Sequence, residues 1–467
     1  MRILLIQPPW HPDSVVIGGV LEPLALETVA ATLSGHEVEI LDMRFERDLE
    51  SRLKNFRPDC VGITAITMEV PGALEILRIV RNHDRKIIRV VGGHHATLIP
   101  QDFPENSADY LVIGPGEQTF KELCGSLEAH SDISSIPGLA FWRNGQLAFT
   151  RQREISGRMS SMPLPRRDLT AKYKKHYKLF GFLRAAVMIT SQGCPYRCTF
   201  CALWKINQGK YLGRSPEEVV KEIESIQEST IFLGDDNTFG MRQRIMAIHD
   251  LIVEKKIKKT FYAYARADSI VRDADIFEKW ARIGLKALVV GFEAVEDSEL
   301  KGLNKESSVD INSSANEIML KLGIDNWAHF IMMPHYRKDS FDKIWRYIES
   351  HQIINIALPF YTPFPGTDLY EQELKRLVTK EFQFFDLAHP LVPTSLSLSD
   401  YYEEVEGIIR KTYSLGRYWK ALVTGKRRNP LLIYLLIPFM VRHIRVPIER
   451  FIKKYGGSEG SVTEAMK

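Results

Sequence analysis

The sequence predicts an α/β protein with an N-terminal doubly wound domain, a second α/β unit and a mostly helical tail. Three observations carry that reading. β-branched apolar runs alternate with amphipathic stretches over residues 1–150, six further strand-and-helix repeats begin near Ala185, and three cysteines at CxxxCxxC spacing lie in the loop that opens this second series. A chain of 467 residues has room for two or three domains. Its 45% hydrophobic and 26% charged residues are those of an ordinary globular protein, and a net charge of +4 is too small to indicate nucleic acid as a partner. The first ten residues enter a strand directly, without the charged and apolar regions of a secretory leader, so the expected location is the cytoplasm. In that compartment five cysteines do not make a disulfide framework.

Within residues 1–150 the apolar runs Arg2–Ile6, Glu37–Leu41, Cys60–Ile63, Ile87–Val91 and Tyr110–Ile113 alternate with predicted helices at Glu22–Leu33, Pro71–Asn82 and Glu117–Leu127. Buried runs separated by helices of this length predict a parallel sheet covered on both faces. Ligands of such sheets sit beyond the carboxyl ends of the strands. Those ends carry Gln7-Pro8-Pro9-Trp10, Asp42, Thr64 to Thr67, Gly92-Gly93-His94-His95-Ala96-Thr97 and Gly114-Pro115-Gly116-Glu117. No Gly-x-Gly-x-x-Gly follows the first strand, which argues against a dinucleotide. Residues 151–183 lose the pattern and accumulate Pro and basic residues, as a domain linker does.

The second unit, residues 184–367, opens with the strand Ala185–Thr190 and the loop Ser191–Lys205. Cys194, Cys198 and Cys201 supply three thiolates, one short of the four that close a zinc or [4Fe–4S] site, and the next histidine is distant His249. The loop resembles the signature of the radical S-adenosylmethionine (SAM) enzymes, with Phe200 as its aromatic residue. The resemblance implies a [4Fe–4S] cluster on the three cysteines, SAM on the fourth iron, and reductive cleavage of SAM to a 5′-deoxyadenosyl radical. It also implies a partial (β/α)6 barrel. The later strands are expected at Thr230–Leu233, Phe261–Ala265, Ala287–Gly291, Trp327–Met332 and Asn355–Phe360, with helices such as Pro216–Ile226, Ile270–Ile283, Ser313–Leu322 and Phe341–Ile348. Strand ends hold Asp235 and Asp236, Arg266, and Glu293, where catalytic residues of barrels are expected. They are either SAM contacts or solvated charges and ion pairs.

The N-terminal turns, beside such a loop, resemble the cobalamin-binding domain that precedes the radical SAM core in one large subgroup. That resemblance implies cobalamin held at Gly93, His94, His95, Thr97, Gly114, Gly116 and Glu117, with the two histidines alternatively plain turn residues. The Asp-x-His-x-x-Gly motif that supplies a lower axial ligand is absent, which implies base-off, histidine-off cobalamin.

The tail, residues 368–467, contains a predicted helix around Tyr401–Tyr413 and an apolar run from Pro430 to Val441 between basic flanks. That run is too short to span a bilayer. It fits either a membrane-surface segment or a buried helix closing one end of the barrel. The motifs His329–Asp339, Pro363–Thr367 and Pro393-Thr394 resemble those of the hopanoid C-3 methylases. The resemblance implies methyl transfer to an unactivated carbon of a lipid-like or other small-molecule substrate, with an electron donor such as flavodoxin or ferredoxin. Two alternatives remain: an oxidative cyclase of the tetrapyrrole type using the same cofactors, and a cobalamin sensor with a structural cluster.

Overall fold

A computed structural model describes residues 1–16, 18–155, 163–423 and 445–456. The N-terminal sheet has seven strands in the order Glu37–Asp42, Arg2–Gln7, Cys60–Thr64, Ile88–Gly92, Tyr110–Val112, Leu139–Arg143 and Gln146–Phe149. Its first five strands pair in parallel and the last two antiparallel. Alternation within a fully apolar strand explains the covering of both faces. Ile3 and Leu5 face the helices Leu24–Thr32 and Gly116–Glu128, whereas Leu4 and Ile6 face Leu49–Phe56 and Val70–His83. The terminal hairpin was not anticipated, since its exposed strand alternates weakly.

The second sheet runs Ala186–Met188, Thr230–Leu233, Thr260–Ala265, Leu285–Glu293, Asp325–Phe330 and Asn355–Ala357, in chain order and all parallel. First and last strands do not pair, so the barrel is open. Leu288, Val290 and Phe292 point outward into the helical layer, while Ala287 and Val289 point into the lumen with Val187, Phe232 and Trp327.

Three expected elements differ. The helix expected at Ile270–Ile283 is two, Ala267–Arg272 and Ala274–Arg282, because buried Asp273 takes non-helical angles and is held there by Arg242 (2.9 Å) and Arg272 (2.8 Å). The strand expected to reach Phe360 ends at Ala357, and Phe360 returns only through a bridge to Met332. Residues 163–183 of the linker are built into both domains. Arg167–His176 is a 3₁₀ segment against the N-terminal sheet, and Phe180 stacks on Trp327 (3.8 Å, 4°), which closes the bottom of the barrel. In the tail, Leu398–Thr412 covers the last strand, with Tyr401 fully buried and donating to the Met333 carbonyl (2.7 Å). Helix Arg445–Tyr455 buries Phe451 beside Phe384 and His389. The run Pro430–Val441 lies outside the described residues, and among those described no helix is long and apolar enough to cross a membrane.

Ions buried between the domains join them. Arg167 of the linker contacts Glu22, reaches Glu222 of the barrel helix Pro216–Ser225 at 2.9 Å, and lies 3.7 Å from Glu27 of the N-terminal domain. Arg214 bonds Glu222 at 2.5 Å, and Thr170 donates to Glu27. Three carboxylates thus share two guanidinium groups. Burial, then the Glu22 carboxylate, pushes the pKa of Glu27 up to about 7.

Removing Arg167 leaves buried carboxylates uncompensated, so Arg167→Ala is expected to destabilise the chain by roughly 3–5 kcal/mol in chemical denaturation. Glu27 keeps its proton in the folded chain up to about pH 7, against 4.5 for the free side chain. The folded state therefore binds more protons across that window, and stability falls as pH rises through it. Glu27→Gln removes that contribution, so its melting temperature is expected to fall less between pH 5 and pH 8 than the parent's, read by differential scanning calorimetry.

Candidate functional site

The cysteine loop leaves the barrel between two strand ends. Asp235 is 1% exposed and accepts from Thr190 N (2.5 Å), Thr190 Oγ1 (2.6 Å) and Ser191 N (2.9 Å), which fastens the exit of the first strand to that of the second. Asp236 accepts from Gly193 N at 2.7 Å and from Asn207 Nδ2 at 3.3 Å. Gly193 has φ +86°, and a Cβ there would lie 1.9 Å from the Lys210 carbonyl oxygen, so only glycine makes this turn. Ser191-Gln192 pairs antiparallel with Leu212-Gly213, and Thr199 donates to Leu303 O (3.0 Å) and accepts from Leu369 N (3.0 Å). The loop is thereby held at both ends and in the middle.

Cys198 is buried, and Cys194 and Cys201 are half-buried. Burial raises the pKa of Cys194 and pushes that of Cys201 up to about 12, so in the protein alone these thiols stay protonated. Among the described residues no three His, Cys, Asp or Glu side chains converge on one point as ligands of a single metal ion. Three thiols are one fewer than the four ligands that close a structural zinc site.

Arg266 Nη1 lies 4.0 Å from Cys198 Sγ, and its guanidinium stacks on Tyr196 at 3.4 Å, bonds Asp268 (2.8 Å) and donates to Lys305 O (2.7 Å). Tyr196 in turn donates to Asp268 (2.5 Å). The sequence leaves Arg266 as a SAM contact, a solvated charge or an ion-pair partner, and in the fold it is paired with Asp268 and braces the cysteine loop against the turn at Lys305. Glu293, at a bulge in its strand with φ +64°, bonds Lys305 Nζ at 2.6 Å. Phe200 sits beside the same ammonium, with Lys305 Nζ 5.9 Å from its ring. Lys305 lies in a loop with no pattern around it, so nothing in the sequence marks it.

The second half of the site comes from the N-terminal domain. Gly93 has φ +98°, and a Cβ there would meet Ala65 O at 2.7 Å. Thr97 Oγ1 donates to Gly93 O (2.9 Å) and accepts from Gly114 N (3.0 Å), which ties the two glycine turns together. The paired histidines part company. His95 is 2% exposed and committed to Asp102 (3.0 Å) and Thr67 (3.2 Å), whereas His94 opens into the interdomain space, where the surrounding protein lowers its pKa by desolvation. Gly116 and Glu117 begin the helix facing the same space, and burial raises the pKa of Glu117.

These strand ends and those of the barrel face one another across a cavity of about 430 Å³. Gly93, His94, Thr97, Gly114, Gly116 and Glu117 line one side, and Ile189, Gln192, Asn207, Gly234 and Asp236 the other. The residues predicted for cobalamin other than His95 are thus in the wall; of those predicted for SAM, Asp236 is brought to it, and Cys194, Cys198 and Cys201 are not in it. His95, Asp235, Arg266, Glu293 and Phe200 are not in its wall. The cavity wall also includes Arg214 and Glu222 of the interdomain ion cluster, which residue spacing alone does not bring to a ligand site.

Comparison with known proteins agrees with this geometry. Residues 11–124 match the B12 binding domain and residues 188–349 the radical SAM superfamily. The chain is 29% identical to the hopanoid C-3 methylase of Methylococcus capsulatus, over 88% of this chain and 81% of that protein. It is 25% identical to the anaerobic magnesium-protoporphyrin IX monomethyl ester cyclase of Cereibacter sphaeroides, over 92% and 74% respectively. Its fold superimposes on that of the cobalamin-dependent SAM radical enzyme OxsB, solved with aqua-cobalamin and SAM bound, with a TM-score of 0.70 at 18% identity, covering 96% of this chain and 71% of that one. With a B12-binding domain and a radical SAM barrel meeting at one cavity, the chain is a cobalamin-binding-domain-containing radical SAM enzyme.

Proposed function

We propose that the chain is a cobalamin-dependent radical SAM C-methyltransferase acting on an unactivated carbon of a small, lipid-like molecule. The observation that carries this is the shared cavity. The glycine turns that would hold a corrin and the strand ends beside the cysteine loop look at each other across one cavity. When bound, the cluster, SAM and cobalamin supply one-electron chemistry for hydrogen abstraction and a transferable methyl group. No side-chain acid or base offers a route to a saturated carbon, whose protons are too weakly acidic.

The chain's own residues bind and orient. Cys194, Cys198 and Cys201 would hold the cluster, and Asp236, Glu293 and Phe200 are assigned to SAM. Asp235 and Arg266 act as positioning residues, since their polar atoms are already engaged with the loop and its supports. Gly93, Gly114 and Gly116 would let backbone approach the corrin, with His94, Thr97 and Glu117 around it and His95 behind them as a fixed support. His94 is the one histidine of the two open to the cavity, in keeping with the absent axial-ligand motif.

The likeness to the hopanoid methylase over most of both chains supports a polycyclic lipid as substrate class. A one-electron donor of flavodoxin or ferredoxin type would reduce the cluster, and contact with a membrane surface would rest with the apolar run Pro430–Val441, in an intracellular protein. The cyclase likeness over 92% of the chain favours ring closure as the second reading.

Anaerobic incubation of the reconstituted chain with SAM, cobalamin, a reductant and a lipid extract is expected to yield 5′-deoxyadenosine and a lipid heavier by one CH₂ in mass spectrometry. A product without added carbon would favour the cyclase. Cys194→Ser, Cys198→Ser and Cys201→Ser are each expected to abolish iron–sulfur absorbance and SAM cleavage, whereas Cys60→Ser, far from the loop, leaves both in place. Gly93→Ala is expected to weaken cobalamin binding by about tenfold or more, read by absorbance titration, because its Cβ forces the turn away from Ala65.

A further inference from the structure

Inside the barrel, above the plug formed by Phe180 and Trp327, stand two polar side chains that the functions assigned above leave unused. Along the strand Thr260–Ala265 the residues Phe261, Ala263 and Ala265 pack outward among the helices, which turns Tyr262 and Tyr264 to the lumen. Along Asp325–Phe330, Ala328 and Phe330 pack outward, which turns Trp327 and His329 to the lumen. The Tyr264 ring packs edge-on against Phe232 of the luminal cluster at 5.1 Å. Its lumen neighbour on the preceding strand is Gly234, and the residue paired with His329 on the strand before it is Gly291. Neither glycine adds a side chain to the layer, which is bounded by Val187 and Ile189 beside Gly234 and by Glu293 and Lys305 beside Gly291.

Tyr264 keeps 40% of its surface accessible although it points into the fold. Desolvation nonetheless raises the pKa of Tyr264 and lowers that of His329, so protein surrounds both groups at close range. Tyr264 thus keeps open space beside it although its strand turns it toward the lumen. Neither the Tyr264 hydroxyl nor a His329 ring nitrogen has a hydrogen-bond partner among the described residues. The charged groups nearest His329 are Glu293 and Lys305, which bond each other. Gly291 lies beneath that ion pair, since a Cβ on it would come within 2.0 Å of Glu293 Oε1 and 2.8 Å of Lys305 Nζ. His329 therefore lies one layer below the ion pair at the strand end assigned to SAM.

We propose that Tyr264 and His329 form a hydrogen-bonding floor in the barrel lumen, and that the end of the substrate entering the lumen carries a hydroxyl or carbonyl oxygen. This rests on the methyltransferase reading of the same site and narrows its substrate class. A saturated hydrocarbon end would cover both groups and leave them without partners, a loss that an oxygen-bearing end avoids. A neutral imidazole offers one donor and one acceptor and a phenol can do either, so the floor suits a hydroxyl or a carbonyl and discriminates against a carboxylate, which would bury an unpaired charge.

The test uses crystals of the holoenzyme loaded with cluster, cobalamin and SAM, soaked with cyclohexanol or with cyclohexane. Cyclohexanol is expected in the lumen with its oxygen within hydrogen-bonding distance of Tyr264 Oη or a His329 ring nitrogen, at about fivefold the occupancy of cyclohexane, the worth of one net hydrogen bond. In the chain carrying Tyr264→Phe and His329→Phe that preference is expected to vanish, with the apolar volume kept. Equal occupancy of the hydrocarbon, an oxygen directed elsewhere, a lumen that takes neither probe, or SAM itself filling the layer would each overturn the floor. The lipid-extract assay reports separately on methylation, so loss of the floor and loss of the methyltransferase reading are told apart.

Discussion

The hydrogen bonds from Thr190, Ser191 and Gly193 to Asp235 and Asp236 are the constraint on which the site depends. Two adjacent carboxylates at one strand end do different work. Asp235 is enclosed and has its lone pairs filled by the exit of the neighbouring strand, so it behaves as a fixed fastener. Asp236 turns the other way, takes the amide of a glycine that no other residue could replace, and presents its remaining face to the cavity. Because the cysteine loop begins at this turn, the direction in which three thiols leave the barrel is set by backbone donors and not by the thiols themselves. Arg266 then completes the support from the opposite side through Tyr196, Asp268 and the Lys305 carbonyl.

A second constraint sets the distance between the halves of the site. Parallel sheets place ligands beyond the carboxyl ends of their strands, and here two such sheets must point those ends at each other. The linker does this by contributing Arg167 to a buried cluster whose carboxylates come from both domains, and Phe180 to the base of the barrel. Carboxylates this close to one another cost stability unless some keep their protons, and burial does raise the pKa values of Glu22 and Glu27. The joint is thus strong through its guanidinium groups and sensitive to pH through its excess carboxylate.

Much of this was legible from residues alone, for identifiable reasons. The cysteine spacing and the Gly-Gly-x-His-x-Thr turn are local, and local geometry survives any tertiary context. Thr97 bonding both glycine turns explains why that motif has its shape. The apolar alternation of Arg2–Gln7 sufficed to place a sheet with two covered faces. Illegible features were those decided by partners distant in sequence. His94 and His95 are identical as letters, yet one meets Asp102 and the other meets open space. Asp273 breaks a helix only because Arg242, from another helix, is there to hold it. Lys305, Arg167 and Phe180 sit in segments without periodicity, and their roles arise from where the two domains press them.

The electrostatic character of the cavity fits the chemistry assigned to it. Asp236 and Glu117 have raised pKa values and His94 a lowered one, in each case with burial as the first cause. The lumen behind follows the same rule at Tyr264 and His329. Every one of these groups is pushed toward its uncharged form, which leaves it able to hydrogen-bond as a neutral donor or acceptor. A space in which Asp236, Glu117 and His94 are biased to neutrality, lined by strand ends and apolar side chains, suits transfer of a hydrogen atom or a methyl group without separation of charge.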